Sequence, residues 1–246
     1  MLLEVENLRI AFHRDGKEIV PVRDVSFSVP EHGRVALVGE SGCGKSLTAL
    51  SLARLSPTDR ASISGTTKFN GRIAYVFQNP GDSLNPVMRI AAQIREALPK
   101  GMDRKAQDAR ILELLARTGL PDPARAAHAY PCELSGGQQQ RCMIAMALAA
   151  SPDLLIADEP TTALDVTIQA QVLRLMRDLH RANAAILLIT HDLGAVAQMA
   201  TKLAVMKDGA VVETSDDPAA FFRAPAHPYS RTLVREARRM ALDCGR

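Results

Sequence analysis

The chain has 246 residues, 47% of them hydrophobic and 23% charged, with 30 basic against 27 acidic side chains and a formal charge of +3. That balance lacks the basic surplus of a nucleic-acid binder, and the length suits one moderately large domain with a sizeable core. No apolar run approaches the ~18 residues of a membrane span, and Met1-Leu2-Leu3-Glu4 opens no charged-then-apolar secretory pattern, so a cytosolic chain is expected, held at a membrane only by a partner.

Leu3, Val5, Leu8, Ile10 and Phe12 alternate loosely, Asp15-Gly16 signals a turn, and Val20, Val22, Val25, Phe27 and Val29 follow. The spacing predicts two or three antiparallel strands joined by tight turns. Phe12 is either a core residue or a ring that stacks on a nucleotide base. Arg34 to Val38 reads as a buried strand, Gly39 to Ser46 spells G-x-x-x-x-G-K-S, and Leu47 to Leu55 has helical spacing. Strand, glycine-rich turn and helix form the setting of a phosphate-binding loop. Gly39, Gly42 and Gly44 let backbone N–H groups, those of Ser41, Cys43 and Leu47 in reach, curl toward a polyphosphate. Lys45 is placed for the β- and γ-phosphates and Ser46 for Mg²⁺.

Residues 56–72 read as polar and turn-rich. Ile73 to Phe77 is a predicted strand ending at Gln78, and residues 79–86 are a predicted loop. From Val87 to Gly119 the pattern is helical, with Asp103 as N-cap, Ile111, Leu114 and Leu115 on one face, and Gly119 and Pro121 closing the helix. Leu134-Ser135-Gly136-Gly137-Gln138 opens the next helix, and serine plus two glycines at a helix start make a second anion cradle. Either the protein binds two anions, or two copies share one nucleotide between the loop of one and the helix start of the other.

Asp153 to Glu159 is a predicted buried strand ending in two acids: Asp158 suits the Mg²⁺ shell and Glu159 an attacking water. Ala163-Leu164-Asp165 sits at a turn before a helix from Val166 to Arg181. A third buried strand, Ala185 to Thr190, ends at His191, and residues 203–213 read as a hairpin. The tail carries Pro218, Pro225 and Pro228 and ends in a basic helix-like stretch. Cys43, Cys132, Cys142 and Cys244 show no C-x-x-C spacing, so unpaired thiols are expected.

Together these residues resemble the ATP-binding subunit of an ABC transporter, along the whole chain and in the family's order. The resemblance implies an α/β fold, a P-loop NTPase core of the ABC ATPase type with an N-terminal antiparallel β subdomain and a helical subdomain. It divides the chain into an ATP-binding core at 1–86 and 133–217, a helical subdomain at 87–132 and a tail at 218–246. It further implies ATP and Mg²⁺ as ligands and head-to-tail pairing with a second ATP-binding subunit, a sibling or another copy. By resemblance, Lys45, Ser46 and the loop glycines grip phosphates and Mg²⁺, and Gln78 senses Mg²⁺ and contacts the membrane partner. The signature Ser135, Gly136, Gly137 and Gln138 reaches the opposite subunit's γ-phosphate. Asp158 supports Mg²⁺, Glu159 is the catalytic base, His191 contacts the γ-phosphate, Asp165 bridges the dimer, and Phe12 stacks on adenine.

Gln78-Asn79-Pro80 with Ser83-Leu84-Asn85-Pro86, and the tail His227-Pro228-Tyr229-Ser230, look like the oligopeptide, dipeptide and nickel importer group. That implies transmembrane permease partners, an indirect solute-binding protein, no nucleic acid, and a peripheral place on the cytoplasmic face of the inner membrane. The alternative is a non-transport ABC ATPase acting on ribosomes or DNA. Against it, only ~55 residues separate Gln78 from Leu134, too few for a long helical hairpin beside the helices of 87–132. Three departures from the group stand out: a short stretch from Arg54 to Gln78, a single tail cysteine, and Cys43 where serine or alanine is common. A thiol reagent is expected to block ATP binding through Cys43, with ATP protecting.

Overall fold

A computed structural model describes residues 1–14, 17–55, 61–161, 166–180 and 184–243. The chain packs as two units, Met1–Gly71 with Ala185–Arg246, and Arg72–Ala184.

The first unit opens with β1 (Leu3–Arg14) and β2 (Lys17–Val29), antiparallel with Leu3 opposite Val29 and Phe12 opposite Ile19. The loose alternation has a local cause. The register shifts between Val5 and Leu8, and Asn7 sits there at φ 51°. A bulged residue in the left-handed region, which Asn tolerates, moves the inward set from Leu3 and Val5 to Leu8 and Ile10, and all four are buried. The expected turn at Asp15-Gly16 lies outside the described residues. Next come β3 (Arg34–Val38) and α1 (Lys45–Leu52). The helix starts two residues before the predicted Leu47 and gives way to Arg54 at φ 57°.

The sequence reading misses β4 (Ala61–Phe69), predicted as turns. Its residues are mostly exposed on both faces, so no period-2 pattern marks it. It is an edge strand laid against β1, with Leu3 opposite Phe69 and Phe12 opposite Ala61, and Lys68 meets Glu4 at 3.3 Å.

The second unit pairs β5 (Ile73–Val76) with β6 (Leu154–Asp158) in parallel, Val76 opposite Ala157. Between them run α2 (Pro80–Ser83), α3 (Ile90–Ala97), α4 (Arg104–Arg117), α5 (Pro123–His128), a 3₁₀ turn (Pro131–Glu133) and α6 (Gly136–Ala149). After β6 comes α7 (Val166–His180). The predicted loop 79–86 contains α2 because Asn79 caps it, its side chain accepting from Gly81 N, with Pro80 at the first helical position. Asp103 caps α4 as expected, accepting from Ala106 N at 2.8 Å, and Ile111, Leu114 and Leu115 are buried.

The chain returns to the first unit with β7 (Ala185–Thr190), α8 (Leu193–Met199), β8 (Lys202–Lys207), β9 (Ala210–Ser215), α9 (Pro218–Arg223) and α10 (Pro228–Asp243). Its strands run in the order β4-β1-β2-β9-β8-β3-β7. The predicted hairpin is β8 with β9. Parallel β3, flanked by β7 and β8, is covered on both faces, which is why Val35 to Val38 reads as an unbroken apolar run. Val35, Leu37 and Val38 each contribute about 1.5–3 kcal/mol by leaving water. The expected α/β fold, antiparallel β region and helical region are all present.

Candidate functional site

In the first unit, strand register gathers the chemistry at one sheet end. Val38 of β3 lies opposite Thr190 of β7 and Val205 of β8. The phosphate loop, His191 and Lys207 therefore leave the carboxyl ends of neighbouring parallel strands, where α/β sheets hold ligands. His191 is exposed, and Asp192 beside it is locked: its amide donates to Thr190 Oγ1 at 3.0 Å and its carboxylate caps α8 at Gly194 N, 2.7 Å.

The loop is built by its own unit. A Cβ on Gly39 would lie 2.2 Å from the Met206 carbonyl oxygen, so only glycine lets the loop pass β8. Gly44, at φ 102°, is the N-cap of α1, and a Cβ there would meet Pro21 O at 2.6 Å. α1 has no side-chain cap and no acid in its first turn, so its N-terminal dipole is offered to an anion. Lys45 is 4% exposed, and its ammonium donates to the Gly39 and Glu40 carbonyls at 2.8 Å each, which offsets the cost of burying the charge. Gly209 N donates to Cys43 O at 3.2 Å, and Arg23 N to Gly209 O at 2.6 Å, tying the β8–β9 turn to the loop and to β2. A cavity of about 510 Å³ opens on Ser41, Gly42 and Cys43, walled by Val20, Pro21, Lys207 and Tyr229. That volume suits a small-molecule ligand.

One sequence expectation looks different here. Cys43 is 8% exposed, and burial raises its thiol pKa against the opposing pull of Lys45. Reaction at this thiol is therefore slow at neutral pH, since the thiolate is the nucleophile. Phe12 is half-buried on β1 between Ile19 and Ala61, and it is not part of the cavity wall.

In the second unit, parallel β5 and β6 bring Gln78 and the acids together. Gln78 Nε2 donates to Glu159 Oε2 at 3.2 Å. Asp158 and Glu159 are 6% and 8% exposed. Glu159 has φ 44°, a left-handed backbone on a residue with a Cβ, and strain of this kind gathers at functional positions. Sequence reasoning missed Tyr75, whose hydroxyl donates to Asp158 Oδ2 at 2.8 Å. Burial and the Asp158 carboxylate push its phenol pKa upward, so it remains a donor. A tyrosine in a short buried strand was the available signal, because a buried hydroxyl requires a partner. Gln93 was missed too: it is 6% exposed, accepts from Asn85 N at 2.9 Å and donates to Met88 O at 2.8 Å, fixing the Asn85-Pro86 turn.

The signature turn starts α6. Ser135 accepts from Gln138 N and Gln138 Oε1 accepts from Ser135 N at 3.0 Å, a reciprocal capping box. Ser135 and Gly136 are exposed, and a Cβ on Gly136 would meet nothing within 4 Å. On Gly137 it would touch Ile168 Cγ2 at 3.2 Å. Asp165 and Cys244 lie outside the described residues. Among the described residues no helix is long and apolar enough to cross a membrane.

A family model described as ABC transporter matches residues 22–162. The chain is 42% identical to the dipeptide transport ATP-binding protein of Escherichia coli (strain K12), over 98% of this chain and 80% of that protein. It is 44% identical to the oligopeptide transport ATP-binding protein of Bacillus subtilis (strain 168), over 95% of this chain and 71% of that protein. A dimeric ATP-binding cassette in a post-hydrolysis state, bound to ADP and phosphate, superposes with a TM-score of 0.77 at 25% identity, covering 87% of this chain and 97% of that one. The motifs, the strand-end geometry and these likenesses agree: the chain belongs to the ABC transporter family, among its ATP-binding subunits.

Proposed function

We propose that the chain hydrolyses ATP to drive peptide import through separate membrane permeases. Two observations, each within its own unit, support the chemistry: in the first, a helix start with no side-chain cap that carries buried Lys45; in the second, a strained, buried Glu159 hydrogen-bonded to Gln78. Lys45 and the loop N–H groups grip the phosphates, His191 contacts the γ-phosphate, and Phe12 stacks on adenine. Glu159 takes a proton from the attacking water as its oxygen bonds to the γ-phosphorus; the bond to the bridging oxygen breaks and ADP leaves. Ser46, Gln78 and Asp158 offer the hard oxygen donors that suit Mg²⁺, which when bound neutralises charge on the phosphates. Tyr75 holds the Asp158 carboxylate in orientation.

The open face of Gly136 supports a signature that serves another subunit: Ser135, Gly136, Gly137 and Gln138 complete the partner's site, and Asp165 bridges the pair. A second copy of this chain suffices for that geometry, and a sibling subunit is the other outcome. Peptides are favoured over nickel or metal chelates because the relatives' names are dipeptide and oligopeptide transport proteins. The chain sits peripherally on the cytoplasmic face of the inner membrane, with a solute-binding protein as an indirect partner. The test is a tagged pull-down from native membranes with mass identification. Two hydrophobic permeases are expected; ribosomal or DNA-repair proteins without a membrane subunit would contradict the transport reading.

A further inference from the structure

The tail motif His227-Pro228-Tyr229-Ser230 has no part in the chemistry above, yet it reaches the phosphate loop. Glu213, on β9, accepts from Ala226 N at 2.8 Å and from His227 N at 2.9 Å with its two carboxylate oxygens. His227 Nδ1 accepts from Tyr229 N at 3.2 Å and so caps the first turn of α10, with Pro228 at its first helical position. This clamp fixes the direction of the Tyr229 side chain, which is 7% exposed. Lys207 lies against the ring, its ammonium 4.9 Å from the centroid. The hydroxyl accepts from the Glu40 backbone N–H at 3.0 Å. Burial pushes its pKa up to about 12, so it stays neutral across physiological pH.

The peptide unit concerned matters. The Glu40 N–H and the Gly39 carbonyl belong to the same planar peptide. The N–H is held by Tyr229 and the carbonyl accepts from Lys45 Nζ at 2.8 Å. One peptide plane thus stands between the tail hydroxyl and the phosphate-gripping lysine. If it turns, the carbonyl leaves Lys45 and the first half of the loop loses its orientation. Gly39 has no side chain to resist that turn.

We infer that Tyr229 is a positioning residue for the phosphate loop: its hydroxyl orients the Gly39–Glu40 peptide and so holds Lys45 in the geometry that receives the nucleotide. The tail is thereby part of the nucleotide grip, and any partner that pulls on α10 acts on ATP affinity. The effect on KM for ATP rests on the ATPase reading; the hydrogen bond does not.

The test is Tyr229→Phe in the full-length chain, which keeps the ring and its contact with Lys207 and removes the hydroxyl alone. Two readouts separate the two levels. Amide hydrogen exchange at Glu40 is expected to speed up by tenfold or more, with the nucleotide-free melting temperature little changed. In the complex with its membrane partners, KM for ATP is expected to rise about fivefold, the worth of one hydrogen bond, while kcat stays within about twofold. Glu213→Gln, which loosens the clamp while keeping the hydroxyl, is expected to give a smaller change in the same direction. Equal Glu40 protection in wild type and Tyr229→Phe would overturn the inference, as would an unchanged KM beside lost protection. If instead wild type binds no ATP while Glu40 protection still depends on the hydroxyl, the positioning contact stands and the ATPase reading fails.

Discussion

Two glycine-rich turns open helices in this chain, and their glycines are there for different reasons. In the phosphate loop the fold demands them: a side chain at Gly39 would strike the Met206 carbonyl and one at Gly44 the Pro21 carbonyl. In the signature the fold demands little. Gly136 faces open space, Gly137 lies against the Ile168 side chain with its Cγ2 3.2 Å from an added Cβ, and Ser135 and Gln138 already satisfy each other. The first turn is a finished half of a site, fixed by its own unit. The second is exposed chemistry that meets little among the described residues, which is the form expected of a surface that completes a site on another molecule.

Separating grip from chemistry gives the largest effect. Glu159→Gln removes the base and keeps its size, so ATPase turnover should fall by about 10²–10⁴-fold while ATP binding persists. Near-normal turnover would show that another group takes the proton. The next effect contrasts the two turns directly. Lys45→Ala should weaken ATP binding to the isolated chain by roughly 10–100-fold, the worth of a charged hydrogen bond. Ser135→Ala should leave that affinity unchanged, because its phosphate belongs to another subunit. Equal losses in titration calorimetry would erase the distinction between the turns.

Stability should sort the two turns in the same order. Gly44→Ala is expected to cost roughly 1–3 kcal/mol through its positive φ and the Pro21 clash, visible as a melting point several degrees lower. Gly136→Ala should change stability by less than about 0.5 kcal/mol while lowering turnover of the assembled dimer. The smallest effect concerns the thiols. Among the described cysteines, Cys132 is exposed and should be alkylated first, whereas Cys43 should react only as pH rises above the ordinary thiol range, because burial raises its pKa and the thiolate is the reacting form. Mass mapping of alkylation at two pH values checks the order.

The phosphate loop was legible because its constraint is local: glycine spacing, a β-branched strand before it and helix formers after it all lie within a few residues. The same holds for β7, whose bounds Ala185–Thr190 match the reading, and for the Asp103 cap of α4. β4 was not legible because its stability comes from the ladder with β1 and not from burial, so it writes no period into the sequence. The partners of Tyr75 and Tyr229 were not legible because they lie 83 and 189 residues away. Cys43 was placed correctly in the loop, yet its exposure depends on how Gly39 passes β8, which composition does not reveal.

The most direct measurement mixes two chains that are each inactive alone, Lys45→Ala with a crippled loop and Gly136→Trp with a crippled signature. If a signature completes the site of another copy, a mixed pair contains one site with both halves intact, and ATPase activity should reappear on mixing and grow with the concentration of either chain. Activity that stays at the sum of the two separate proteins would contradict the account that the signature completes the site of a second copy of this chain.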